Sequence, residues 1–297
     1  MLKYFPILFV FGFLTASCTT EKSESPVVNW NSVQDSTNIA YTVTGLDGPE
    51  AVRYDPDQDV YFIANFTGGG NDQDSTGFIT KADAEGNIIE REFMIGTKKA
   101  PLHAPRGMFL VNETLWAVDV LGLHGFNKQT GEQTDFVDFS EFEIGFLNDV
   151  SANENGIIYV TDTGNPRVYK VENGAASIFL DSLEISPNGI TLDPENGKFV
   201  LAPWSGETTF YTFDTEKDLV EYDNIAGGYF DGLEFLNGKL LLASQQDSSI
   251  RIFDGNESSI LIKTSGRPAD IGINTQSNHI AVPYIALDRV EIWDLTN

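Results

Sequence analysis

Apolar residues in this chain fall in short alternating runs separated by turns rich in Gly, Asn and Asp. The stretch Ser186-Pro187-Asn188-Gly189-Ile190-Thr191-Leu192-Asp193 leads through Pro194-Glu195-Asn196-Gly197 into Lys198-Phe199-Val200-Leu201-Ala202. Two strand-like runs joined by an Asn-Gly turn predict a hairpin. The pattern recurs. Leu147-Asn148-Asp149-Val150 runs into Ile157-Ile158-Tyr159-Val160, Phe230-Asp231-Gly232-Leu233 into Leu240-Leu241-Leu242, and Pro268-Ala269-Asp270-Ile271 into Ile280-Ala281-Val282. Upstream, Pro49-Glu50-Ala51-Val52 precedes Val60-Tyr61-Phe62-Ile63, and Pro105-Arg106-Gly107-Met108 precedes Thr114-Leu115-Trp116-Ala117.

One residue marks each copy: Glu50, Arg106, Asn148, Asn188, Asp231 and Asp270, at spacings of 56, 42, 40, 43 and 39. A repeat near forty residues built of short strands predicts an all-β, six-bladed β-propeller with four-stranded blades. The long first spacing is an insertion in blade one, at 67–77. Outer hairpins are expected around Gly131, Asn173-Gly174 and Asp254-Gly255, and alternation gives each blade apolar faces to bury against its neighbours. No long helical period appears. Only three strands follow Asp270, so the strand at 38–43 is expected to supply the fourth of the last blade. Closing the ring in this way removes an open sheet edge.

The first strand of a propeller blade lines the central channel, so the six marked residues are expected to converge. Two amides and three carboxylates around an axis suit a hard cation. Asn and Asp are also common turn formers, which is reason enough for one or two copies.

The chain has 297 residues, 41% of them apolar, and the unbroken repeat predicts one domain over 38–297. Its net charge of −26 disfavours nucleic acid and anionic membranes as partners and concentrates divalent cations. The one cysteine, Cys18, excludes an internal disulfide and a Cys/His zinc site. Residues 1–17 combine Lys3, an apolar run over 4–14 and the small residues Thr15-Ala16-Ser17 before Cys18. This reads as an export signal, too short for a spanning helix. Small residues before a lone Cys resemble a bacterial lipobox, which implies lipidation at Cys18 and a cell-envelope location (periplasm or outer membrane). Thr15 departs from the Leu or Val usual there. Residues 18–37 read as a flexible tether; membrane contact is expected only through the anchor, and the domain is expected to be a monomer.

The insertion carries Asp72, Asp74 and Gly77 but departs from a calcium loop at Thr76 and Asp83, so it reads as a solvated loop able to cover the channel mouth. His103, three residues before Arg106, is a candidate proton shuttle. Serine-hydrolase elbows, phosphate loops and dinucleotide fingerprints are absent from the sequence.

Glu50, Asn148-Asp149, Pro187-Asn188-Gly189 and Asp231-Gly232 together resemble the SMP-30/gluconolactonase family, relatives of diisopropylfluorophosphatase, over essentially all of 38–297. The resemblance implies Ca2+, or another divalent cation, held by Glu50, Asn148, Asn188 and Asp231, with Asp231 and Glu50 as catalytic carboxylates. It implies a hydrolase, a lactonase or esterase, whose ion polarises the substrate carbonyl. The family's sugar-binding Arg position is Phe146 here, which points to a less polar lactone or ester. Arg106, Phe146, His103 and Asp270 are the expected substrate-binding residues. The competing expectation is a non-catalytic propeller that binds a small molecule, glycan or protein at the cell surface.

Overall fold

The repeat folds as short strands in the computed structural model, which describes residues 27–296 together with Met1, although the runs at 105–107 and 268–271 precede their strands rather than forming them. After β1 (Ile39–Thr44), blade one contains β2 (Pro49–Asp55), β3 (Val60–Asn65), β4 (Phe78–Asp83) and β5 (Ile88–Met94). Blade two contains β6 (Met108–Val111), β7 (Thr114–Val118), β8 (Gly122–Asn127) and β9 (Gln133–Asp138). Blade three is β10 (Leu147–Ala152), β11 (Ile158–Asp162), β12 (Arg167–Glu172) and β13 (Ala175–Leu180). Blade four is β14 (Pro187–Leu192), β15 (Phe199–Pro203), β16 (Thr209–Phe213) and β17 (Val220–Asn224). Blade five is β18 (Phe230–Leu236), β19 (Lys239–Ser244), β20 (Ser249–Phe253) and β21 (Ser258–Lys263). Blade six is β22 (Gly272–Asn274), β23 (His279–Tyr284) and β24 (Arg289–Asp294), completed by β1.

All six sheets are four-stranded meanders of antiparallel strands, so the chain is a six-bladed β-propeller. β1 pairs with β24 through Tyr41↔Ile292 and Val43↔Val290, which closes the ring with the N-terminal strand. The innermost strands are β2, β6, β10, β14, β18 and β22, and neighbours among them touch around the axis. Their approach is close enough to require glycine. A Cβ on Gly189 would overlap the Asp231 carbonyl, and one on Gly232 would overlap the backbone of Ile271.

The apolar core is divided into six separate clusters, each shared by two adjacent blades. The period-2 alternation produces them. On β3, Phe62 and Ala64 face blade two while Tyr61 and Ile63 face blade six. On β19, Leu240 and Leu242 face blade four while Leu241 and Ala243 face blade six. Second strands are therefore buried on both faces and read as near-continuous apolar runs.

The N-terminal segment departs from the tether expectation over 28–37. Val28 is buried in the seam between blades five and six, Asn29 N–H donates to the Leu295 carbonyl (2.7 Å), and Gln34 N–H donates to the Leu261 carbonyl (2.7 Å). Apolar Val28 and Trp30 give this stretch surface to bury, which its polar composition concealed. The export signal and Cys18 lie outside the described residues.

Ring closure is testable at Val43, which packs against Val290 and Ile292 while its neighbour Thr42 is exposed. Val43→Ala is expected to cost about 2 kcal/mol, lowering the midpoint of thermal unfolding by roughly 4–8 °C. Thr42→Ala on the same strand is expected to leave it nearly unchanged.

Candidate active site

Four of the innermost strands carry a bulge, and each bulge holds a marked residue. On β2 the register shifts between Pro49 and Ala51, on β10 between Leu147 and Val150, on β14 between Pro187 and Ile190, and on β18 between Phe230 and Leu233. The displaced residues include Glu50, Asn148, Asn188 and Asp231. A bulge breaks the alternation and re-aims a side chain, here along the axis rather than into a seam. β6 and β22 pair with their neighbours without a shift.

The four re-aimed side chains meet on the floor of a 450 Å³ cavity. All are buried. Asn188 donates through Nδ2 to the Phe230 carbonyl (3.0 Å) and to Asp231 Oδ1 (3.2 Å), which turns its Oδ1 away from both. Neither Asn188 Oδ1 nor Glu50 Oε2 has a hydrogen-bond partner, although both are buried. Two orphaned oxygens among an all-oxygen donor set fit a hard cation of the calcium type. Among the described residues no group of three or more His, Cys, Asp or Glu side chains is arranged to hold a metal; this set has two carboxylates and is completed by amides.

Burial dominates the electrostatics. It pushes the Asp231 carboxyl up to about 7, reinforced by Asp149 and opposed by hydrogen bonds from Gln245 and Asn188. Burial, then the charge of Asp231, raises Glu50 well above the ordinary range. Burial pushes Asp149 up to about 6 against the pull of Arg53. A cation at this point would oppose the shifts of the two floor carboxyls, Glu50 and Asp231.

The cavity wall is a second ring that the sequence reading missed. In four blades the backbone N–H just past the second strand returns to the carbonyl two residues before the marked position. The pairs are Phe66 to Gly48, Thr163 to Phe146, Trp204 to Ser186 and Gln245 to Tyr229. Phe66, Thr163, Trp204 and Gln245 all line the cavity, joined by Phe146 and Ile285. They follow their marked residues by 16, 15, 16 and 14 positions, and that recurring offset was the signal available. Gln245 is functionally the most direct of them, since its Nε2 donates to Asp231 Oδ2 (2.8 Å) and holds that carboxylate in place. The rest of the wall is largely aromatic, apolar above a polar floor.

The remaining marked residues do not join this floor. Asp270 sits beside Arg53, a buried β2 residue also missed from the sequence. Arg53 reaches Asp270 (3.1 Å), Glu234 (2.6 Å) and Asp149 (3.9 Å), and also donates to the carbonyls of Met108 and Ile271. Burial disfavours the Arg53 cation, but Asp270, Glu234 and Asp149 more than offset this. The guanidinium thus ties blades one, two, three, five and six together at the axis. Arg106 is fully buried and lies with its Cζ 3.8 Å from the Phe146 ring centre, lining a separate 570 Å³ chamber. Phe146 borders both spaces. His103 lines neither; its ring Nδ1 accepts from Ser75 N–H (3.1 Å) and its backbone N–H donates to Asp119 Oδ2 (3.1 Å).

The insertion packs on this face. Asn71 accepts from Arg106 (3.2 Å), and Gly70 lies against Phe66 and Phe146. Its acids serve local turns, with Asp72 accepting from Gly69 N–H (2.7 Å) and Asp74 from Thr76 N–H (3.1 Å).

The raised Asp231 and Asp149 values set a pH dependence for the metal-free protein. Between about pH 4 and pH 7 the folded state holds more protons than the unfolded state, so stability falls as pH rises through this window. Each group contributes up to about 1.4 kcal/mol per pH unit. Thermal unfolding in chelator is expected to show this slope, and Asp231→Asn is expected to reduce it; an unchanged slope in the variant would contradict the assignment.

No protein-family profile matches the chain, and no curated protein does. Solved structures do. A protein provisionally named a gluconolactonase is similar over 86% of this chain and 94% of its own, with a TM-score of 0.65 and 13% identity. A streptogramin B lyase is similar over 85% of this chain and 96% of its own, with a TM-score of 0.60 and 13% identity. At this identity the likeness shows the β-propeller fold alone.

Proposed function

We propose that this protein is an exported, calcium-dependent hydrolase of lactones or esters with an apolar body, lipid-anchored at Cys18 in the cell envelope. The observation that carries the reading is the cavity floor, where four oxygen-donor side chains from four bulged strands meet with Glu50 Oε2 and Asn188 Oδ1 unpartnered. Glu50, Asn148, Asn188 and Asp231 would hold the ion. When bound, it supplies Lewis acidity to a carbonyl oxygen.

The protein's own groups do the rest. Phe66, Phe146, Trp204 and Ile285 exclude water from the apolar part of the substrate and orient its carbonyl toward the floor. Gln245 and Asn188 fix the Asp231 carboxylate from either side, leaving it positioned to accept a proton from an attacking water. Phe66, Phe146, Trp204 and Ile285 outnumber the polar wall residues Thr163 and Gln245, which supports a substrate less polar than a sugar lactone.

Calorimetric titration with Ca2+ alongside hydrolysis of a lactone and aryl-ester panel tests this. Wild type is expected to bind the ion and hydrolyse members of the panel. Asp231→Ala is expected to lose both, and Gln245→Ala to weaken ion binding by roughly 10- to 100-fold. Saturating Ca2+ is also expected to flatten the fall in stability with pH. Ion binding without turnover would favour a surface-binding propeller, and no ion binding would overturn the site.

Anchoring is separately testable. Cys18→Ser is expected to move the protein from the membrane fraction to the soluble exported fraction, with palmitate labelling lost. Unchanged fractionation would exclude the anchor.

A further inference from the structure

The two buried arginines near the axis are in opposite circumstances. Arg53 is surrounded by carboxylates. Arg106 has no carboxylate at ion-pair distance among the described residues, in a chain with 44 acidic and 18 basic side chains. Its Nη1 donates to the Leu147 carbonyl (2.9 Å) and its Nη2 to the amide oxygen of Asn71 (3.2 Å). Its buried Nε has no partner. A buried cation whose hydrogen bonds go only to neutral acceptors, with one donor unused, bears a desolvation cost that the more distant charges of Glu50 and Asp119 offset only in part.

The guanidinium lines the 570 Å³ chamber, together with Asn71 and Gln73 from the insertion, Ser140, Glu143 and Phe146. Stacking on Phe146 fixes its plane, and a fixed guanidinium plane presents the paired N–H groups that match a carboxylate in two-point contact. Asn71 satisfies part of that fork from an exposed loop position, as a neutral group that a stronger acceptor can displace. Glu143, exposed at the rim, opposes a second negative charge.

We propose that this chamber is a carboxylate-binding subsite, in which Arg106 pairs with a single carboxylate carried by the substrate at a distance from the bond that is broken. The placement of the reacting carbonyl in the adjoining cavity rests on the hydrolase reading, and the substrate would span the two spaces past Phe146. The substrate class narrows accordingly to monoanionic lactones or esters with an apolar middle.

Calorimetric titration of the full chain with benzoate and with its neutral counterpart benzamide, in chelator, tests the subsite without calcium or turnover. Wild type is expected to bind benzoate at least ~10-fold more tightly than benzamide, about 1.4 kcal/mol. Arg106→Met is expected to remove that preference. Asn71→Asp supplies a competing carboxylate from an exposed position that does not endanger the fold, and is expected to weaken benzoate binding by ~10-fold or more. Equal binding of the two probes by wild type overturns the subsite, as does benzoate binding that Asn71→Asp leaves unchanged. Where the ester panel is hydrolysed, 4-carboxyphenyl acetate is expected to lose kcat/KM relative to phenyl acetate in Arg106→Met. Equal binding of the two probes by wild type with calcium binding intact sinks the subsite alone; an Arg106-dependent preference without calcium binding sinks the hydrolase reading alone.

Discussion

The structure depends on six apolar seams arranged in a closed cycle. No seam is central, and none can be left open without exposing two blade faces. The chain ends, distant in sequence, meet inside blade six, where β1 pairs with β24, and that blade then packs on blade one. Stability is thereby located around the axis rather than on it. The channel is left free to hold groups that a conventional core would exclude.

Those groups are heavily unbalanced in charge. Among the described residues, Glu50, Asp149, Asp231, Asp270 and Glu234 face the axis against two guanidiniums, Arg53 and Arg106. Arg53 deals with the layer formed by Asp149, Asp270 and Glu234. Burial opposes the ionisation of Glu50 and Asp231, reinforced by Asp231 at Glu50 and by Asp149 at Asp231, and the pull of Arg106 and Arg53 on Glu50 does not outweigh it. Five carboxylates against two guanidiniums leave an excess of negative charge next to the cavity, which protons or a divalent cation can relieve. Removing Arg53 would leave Asp149, Glu234 and Asp270 without their ion-pair partner, a far larger perturbation than the loss of any surface ion pair on this acidic protein.

The repeat made the fold legible, because a forty-residue period of short alternating runs leaves few architectures open. The four floor residues were legible for the same reason: Glu50, Asn148, Asn188 and Asp231 stand at one register position in their blades. The bulges that aim them were not, since an extra residue on an inner strand leaves no mark in composition. Register also misled. Arg106 and Asp270 share the sequence position, yet they precede unshifted strands and turn elsewhere. Arg53 was hidden because a lone polar residue inside a strand reads as its solvent face, whereas β2 is buried along its whole length. Val28 and Trp30 were hidden by the polar residues around them.

The floor and the wall answer to different constraints. A floor residue must carry oxygen donors and sit on a bulge, so its choices are few. A wall residue need only follow the second strand and return its N–H to the neighbouring loop, a backbone contact that any non-proline residue can make. Phe66, Thr163, Trp204 and Gln245 are accordingly diverse in chemistry although equivalent in position. Specificity in this scaffold can therefore change through the wall and the insertion without disturbing the floor. Phe146 is where the two cavities meet, because one ring borders the floor and also stacks on Arg106. A smaller side chain at that position would release the guanidinium plane and merge the two spaces, altering selectivity while leaving Glu50, Asn148, Asn188 and Asp231 in place.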